Sequence, residues 1–195
     1  ITVGRIRSIA GSYEREAIRP HVTSRFIDLL TAVTRHPAML IYLDNIQSAG
    51  PNSSFGIRRR RGLNENLARE ILELHTLGVG GGYSQTDVTE FAKILTGWRF
   101  RGPQSHDPGH FGFAKFMHEP GPKVLLGKTY QESGVKEGMQ ALRVIARHPS
   151  TAKFIATKLA RHFISDKPPT AAVKKLSQIF MDSDGDLAAV SQALI

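Results

Sequence analysis

The chain is 195 residues long, with 41% apolar and 22% charged residues, the balance of one globular domain with a real core. It has no cysteine, which excludes disulfides, thiolate nucleophiles and zinc sites built on sulfur, so histidines and carboxylates are left to hold any metal. Its 26 Lys plus Arg against 17 Asp plus Glu give a net charge of +9, which favours acidic partners: nucleic acid, anionic lipid, or phosphorylated or sulfated small molecules.

The chain opens on Ile1 in ITVGRIRSIAGSYEREAIRP, without an initiator Met or the apolar segment of a signal peptide, and no membrane span follows. It stops on DLAAVSQALI, a helical pattern with no glycine cap or following proline. Both ends suggest an interior fragment of a larger protein, so an export signal is not legible from its start.

Helical periods dominate. Val22 to Val33 carries Phe26, Leu29, Leu30 and Val33 at helical spacing, and Pro37 opens a second helix through Leu43 as a first-turn proline. DNIQSAGPNSSFGIRRRRG reads as a loop. A helix then runs from its cap Asn64 to Leu77, and another starts at Ser84 with Asp87 three residues on, a capping-box variant, burying Val88, Phe91, Ala92 and Leu95 before Gly97 and Trp98. The glycines of GVGGGY match neither a dinucleotide fingerprint nor a P-loop; they end one helix and turn the pair into a hairpin. From Arg99 to Tyr130 the helical period gives way. Alternating Phe111 and Phe113, a turn at Pro120-Gly121-Pro122 and the run Val124 to Leu126 predict one short β-hairpin. Helices resume at Val135 to Arg147, Pro149 to Ile164, Pro169 to Met181 and Leu187 to the end. The expected fold is all-α: a single domain over 1–195 of orthogonal helix pairs and helical hairpins, with a loop and β-hairpin insertion at 99–130.

An internal echo links Arg35-His36-Pro37 to Arg147-His148-Pro149. Each histidine is expected to cap carbonyls at a helix C-terminus, with the proline starting the next helix.

Four features bear on chemistry. Glu70 falls in the middle of the stripe Leu63, Leu67, Leu74 and Leu77, where burying an unpaired carboxylate costs several kcal/mol. It is expected to be buried and paired, first with an arginine of the preceding loop; the functional alternative is a general acid/base or metal ligand, with His75 as a second catalytic candidate lying about 140° away around the helix. Arg58, Arg59, Arg60 and Arg61 stand just before that helix, where guanidinium groups and free N–H groups together would hold a phosphate, sulfate or carboxylate. A solvated basic loop is the plain alternative. Aromatic residues do not interleave with the run, which argues against nucleic acid. His106 and His110, in the non-helical HDPGH, and His118 with Glu119 supply side chains able to bind a metal, although the spacing sets no geometry.

The stretch HPAMLIYLDNIQSAGPNSSFGIRRRRGLNENLAREILELHTLGVGGGYSQTDVTEFAKILTGW closely resembles the bacterial domain-of-unknown-function 1800 family, and HEPGPKVLLGKTY and RHPSTAKFIATKLARHFISDKPP fit it too. The resemblance covers essentially the whole chain. It implies a mostly helical piece of a large bacterial protein, often encoded beside a sulfatase-like partner family; the Trp-His-Asn-His-type segment usual in the N-terminal part has no counterpart here, and Glu119 stands where many members carry Asp. Two readings stay open. One is a hydrolytic or metal-dependent component of an exported, periplasmic or envelope-associated protein, acting on anionic substrates with a divalent metal held by histidine and carboxylate. The other is a non-catalytic binding or scaffold domain, in which the arginine run docks an acidic partner such as the sulfatase-like protein and Glu70 is architectural.

Overall fold

The computed structural model describes residues 9–194. Helical backbone at 9–13 continues into a π-helix, Glu14–Ile18, and a 3-10 turn, Arg19–His21. Then come α1 (Phe26–Arg35), α2 (Pro37–Tyr42), a 3-10 turn (Asn45–Gln47), α3 (Ser54–Arg59), α4 (Asn66–Glu70) winding on as a π-helix (Ile71–His75), and α5 (Gln85–Leu95). Four short strands follow: β1 (Trp98–Phe100), β2 (Phe111–Phe113), β3 (Lys123–Leu125) and β4 (Lys128–Tyr130). The chain closes with α6 (Val135–Ala146), α7 (Pro149–Phe163), α8 (Thr170–Asp182) and α9 (Leu187–Gln192). The main core joins most of these elements, with Leu30, Leu40, Leu67, Ile71, Phe91, Leu95, Trp98, Leu142, Ile145 and Phe180 among its buried members, while Ala49, Ala114 and Met117 form a separate small cluster beside Phe55 of α3.

The mainly helical expectation holds, and α5 begins as the sequence predicts. Ser84 Oγ accepts from Asp87 N while Asp87 accepts from Ser84 N at 2.8 Å, a complete capping box. Two local expectations change. The loop before Arg61 contains α3, because Ser53 Oγ accepts from Gly56 N and caps a new helix. His36 and His148 do cap, with opposite polarity. The proline that follows holds each in extended backbone, and from there Nδ1 accepts from the next helix, Ala38 N and Ser150 N, both at 3.1 Å.

The single hairpin expected over Phe111 to Leu126 is not formed. Gly97, at φ +81°, turns the chain out of α5, so β1 lies antiparallel to β2 with Trp98 opposite Phe113 and Phe100 opposite Phe111. β3 pairs instead with β4 across a two-residue turn, Leu126-Gly127, in which both residues have positive φ, the geometry that matches strand twist. Leucine rarely adopts it. Leu126 N donates to Asp87 Oδ1 at 2.7 Å, and Val124 N to Glu90 Oε2 at 3.0 Å, so carboxylates of α5 hold this hairpin from the side.

Where α6 crosses Trp98 there is no room for a side chain. A Cβ on Gly138 would lie 2.3 Å from Trp98 Cζ2. In an open helix Gly→Ala is stabilising; here we expect Gly138→Ala to lower stability by about 1–3 kcal/mol through overpacking, read as a lower urea midpoint. An unchanged or raised midpoint would show that Trp98 yields freely.

Candidate functional site

Lys123 and Glu137, 1% and 0% exposed, are the most deeply buried charged side chains among the described residues, and the His118 imidazole beside them is 5% exposed. Lys123 opens β3, Glu137 sits in the first turn of α6, and His118 follows the 3-10 turn Lys115–Met117. Lys123 Nζ donates to both Glu137 oxygens, at 3.1 and 3.4 Å, and lies 3.2 Å from His118 Nε2, which itself meets Glu137 Oε1. His118 Nδ1 is 2.9 Å from the Thr96 carbonyl, which can only accept, so Nδ1 carries a proton and Nε2 turns to the ion pair. Neither Lys123 nor Glu137 is singled out by the sequence reading. The signal was present: Glu137, Ala141 and Ile145 share one helical face, the pattern that drew attention to Glu70.

Glu119, adjacent to His118, faces the other way. Its oxygens accept from Asn52 N at 3.0 Å and Asn52 Nδ2 at 2.6 Å, against Gly50, whose missing Cβ would sit 2.4 Å from a Glu119 oxygen. His118 and Glu119 therefore do not converge on one point. Among the described residues no three His, Asp or Glu side chains are grouped as metal ligands.

Glu70 is half-buried and makes no hydrogen bond or ion pair among the described residues, so the expected burial with an arginine partner is corrected. The apolar face here is Leu67, Ala68, Ile71 and Leu72, at i, i+1, i+4 and i+5, so Glu70 is already off its centre before the π-helix at Ile71–His75 begins. Leu67, Ile71, Leu72 and Leu77 face the core, Leu74 turns outward at 48% exposure, and Glu70 lies at the edge of the stripe. Its neighbour Arg69 takes the ion pairs, with Glu65 at 3.1 Å and Glu73 at 3.2 Å. His75 has different surroundings: its Nδ1 is buried without a partner among the described residues, and burial first, then Lys158, lowers its pKa. Arg58 to Arg61 are all exposed. They stand at the C-terminal end of α3, with Arg60 in the left-handed region at φ 51°, rather than against the start of α4, whose Asn66 N is taken by Asn64 Oδ1 at 2.9 Å.

The surface opens elsewhere. A cleft of about 920 Å³ separates residues 9–21 and α1 from the β1–β2 loop and α6; Glu16, His21, Asp28, Arg35, His36, Phe111 and Arg143 line it. Asp28, Thr31 and Arg35 recur at i, i+3 and i+7 on α1 and so share the face turned to it. Arg35 stacks its guanidinium 4.3 Å from the Phe111 ring centre. Its Nε is buried without a hydrogen-bond partner, no carboxylate pairs with it among the described residues, and burial lowers its pKa. Next to Arg35 in the chain, His36 has its Nε2 3.6 Å from Glu16 Oε2. Because Nδ1 accepts the Ala38 amide, neutral His36 carries its proton on Nε2 and points it at Glu16. Tyr13, edge-on to His36 at 5.2 Å, has its pKa pushed up to about 12 by burial.

Fold and site together define a mainly helical, cysteine-free domain with a buried His-Lys-Glu core and a cleft holding an arginine that has no carboxylate partner among the described residues. The chain belongs to the family described as protein of unknown function (DUF1800), which it matches over residues 2–195. No curated protein and no solved structure matches it.

Two measurements test this description. Lys123→Met leaves a buried carboxylate short of its main cation and is expected to cost about 3–5 kcal/mol; adding Glu137→Met should recover part of that loss, and a double substitution no better than the single would refute the coupling. The second concerns pH. Burial, partly opposed by Glu16, lowers His36, and burial with Lys158 lowers His75, both from the ordinary 6.5. The unfolded chain then binds more protons just below that pH, so stability present above about 6.5 is lost as pH falls through the folded values. Asparagine keeps the N-cap without titrating, so urea midpoints of His36→Asn should fall less steeply between pH 7.5 and 5.5 than those of the parent; parallel curves would remove His36 from the account.

Proposed function

We propose that this domain binds a small molecule with an anionic group in the cleft, the anion resting on Arg35 and the remainder, bearing hydroxyl groups, reaching Glu16 and Asp28. A phosphate or sulfate ester has this chemistry. The observation that carries the reading is Arg35: a partly desolvated guanidinium lining the cleft, its buried Nε without a partner among the described residues. An unsatisfied buried donor costs about 1–3 kcal/mol, which an incoming oxyanion would recover through charge-assisted hydrogen bonds. Arg143 lines the same cleft as a second cation.

Hydrolysis of such an ester would draw on His21 and Asp28, which line the cleft without a side-chain partner among the described residues. His36 is less suited to take a proton, since one ring nitrogen is committed to Ala38 N and the other already carries its hydrogen. The scaffold reading, with an acidic partner such as the sulfatase-like protein on Arg58 to Arg61, is favoured only by the exposure of that run.

NMR titration with glucose 6-phosphate and inorganic phosphate tests the cleft. We expect shifts at Arg35, Phe111 and Thr31, tighter binding of the ester than of the free ion, and an affinity reduced roughly tenfold or more in Arg35→Met, in keeping with the loss of a charged hydrogen bond. Met retains the apolar stem on Phe111. Shifts elsewhere, or Arg35→Met binding like the parent, would overturn the proposal.

A further inference from the structure

A second face, built from α3 and the 3-10 turn Lys115–Met117, has a different character. These two pieces are packed together: Ser54 Oγ donates to Phe116 O at 3.2 Å and the rings of Phe55 and Phe116 meet edge-on at 5.7 Å. Two large apolar side chains nevertheless stand out of it, Ile57 at 67% and Phe116 at 50% exposure. Around them lie Arg58, Arg59, Arg60, Arg61 and Lys115, all exposed and none in an ion pair among the described residues. The sequence explains the lack of partners: 45–62 and 108–118, the stretches that form this face, contain no Asp or Glu. The carboxylates hydrogen-bonded at its margins are taken, Asp44 by Gln47 and Glu119 by Asn52. Phe116 also borders a cavity of about 240 Å³ whose other walls include Arg61, Arg99, Ile46, Phe55 and Met117. The one side-chain hydrogen bond Arg99 makes among the described residues is to the Met117 thioether, at 3.6 Å, a weak acceptor.

The geometry points to this face docking on an anionic lipid bilayer: Ile57 and Phe116 enter the interface, Arg58 to Arg61 and Lys115 meet headgroup phosphates, and one phosphate sits between Arg61 and Arg99. The pairing of a cationic pocket mouth with apolar walls fits an amphiphile, which offers phosphate and hydrocarbon side by side. An acidic protein segment satisfies the cations but leaves two protruding apolar side chains to be matched separately. Clusters of four or more Lys and Arg beside apolar residues bind anionic leaflets through surface potential plus shallow insertion. No helix among the described residues is long and apolar enough to cross a membrane, so the contact is with the surface.

Cosedimentation of the chain with vesicles of phosphatidylserine and phosphatidylcholine, against phosphatidylcholine alone, tests this. We expect partitioning only with the anionic lipid, weakening as salt rises, and falling about fivefold for each charge removed in Arg58→Gln and Arg59→Gln. Ile57→Ser with Phe116→Ser should weaken it as well, and because these residues are exposed the variants should melt with the parent. A separate Phe116→Trp variant reports depth, since the native Trp98 is buried: brominated acyl chains should quench the new fluorophore. Absence of partitioning at low salt, or partitioning unaffected by both sets of substitutions, would overturn the proposal. So would binding to polyglutamate without binding to vesicles, which would reassign the face to an acidic protein. Soluble phosphoserine competing fully with vesicles would reduce the site to a free-anion pocket and would also overturn it.

Discussion

Burial of the Glu137 carboxylate is the constraint on which the centre of this domain depends. A carboxylate with no exposed surface costs several kcal/mol unless paired and hydrogen-bonded. Its partners lie five residues from each other, the nearer of them 14 residues before it, and come from different kinds of structure: a lysine that opens a strand and a histidine that ends a 3-10 turn. To bring them there, β3 must lie against α5 and Thr96 must offer its carbonyl to His118 while its hydroxyl accepts from Glu119 N. The irregular middle of the chain is therefore held by polar contacts as firmly as the helices are held by apolar ones. Gly138, one residue beyond Glu137, lets α6 approach Trp98 closely enough for the ion pair to form.

The same logic separates the two glutamates that sit beside apolar helical positions. Glu137 lies on a regular α-helix, where the periodicity can be trusted and the face it shares with Ala141 and Ile145 is buried. On the helix that carries Glu70 the core is filled by Leu67, Ala68, Ile71 and Leu72, a face that leaves Glu70 at its margin and Leu74 outside it. A carboxylate that retains contact with water needs no partner, so the absence of one at Glu70 is physically unremarkable.

Charge on this protein is divided between two environments. Arg35 is partly desolvated, stacked on Phe111 and turned into a cleft, so an anion meeting it would exchange weak solvation for direct hydrogen bonds. Arg58 to Arg61 are hydrated and gain through the number and density of charges rather than through any single contact. The net charge of +9 describes their sum and conceals the distinction.

By itself the sequence determined the features set by a few adjacent residues. The proline starts at Pro37 and Pro149, the capping box of Ser84 and Asp87, and the helical class all follow from local sterics and hydrogen bonding, and the family likeness from long contiguous motifs. His36 and His148 were legible as caps, though the proline after each, by forcing extended backbone, gave them to the following helix. Tertiary structure decided the rest. Phe111 and Phe113 alternate as a strand should, but their partner, Trp98–Phe100, was chosen by the turn at Gly97. Lys123, His118 and Glu137 meet only because three elements pack, and Arg35 became a candidate site only when the helix beside it, the β1–β2 loop and α6 enclosed a cleft without supplying a carboxylate to pair with it. Periodicity reports which face of an element is apolar; which residues from distant elements share a buried volume depends on packing, because desolvation and pairing are properties of that volume and not of the local chain.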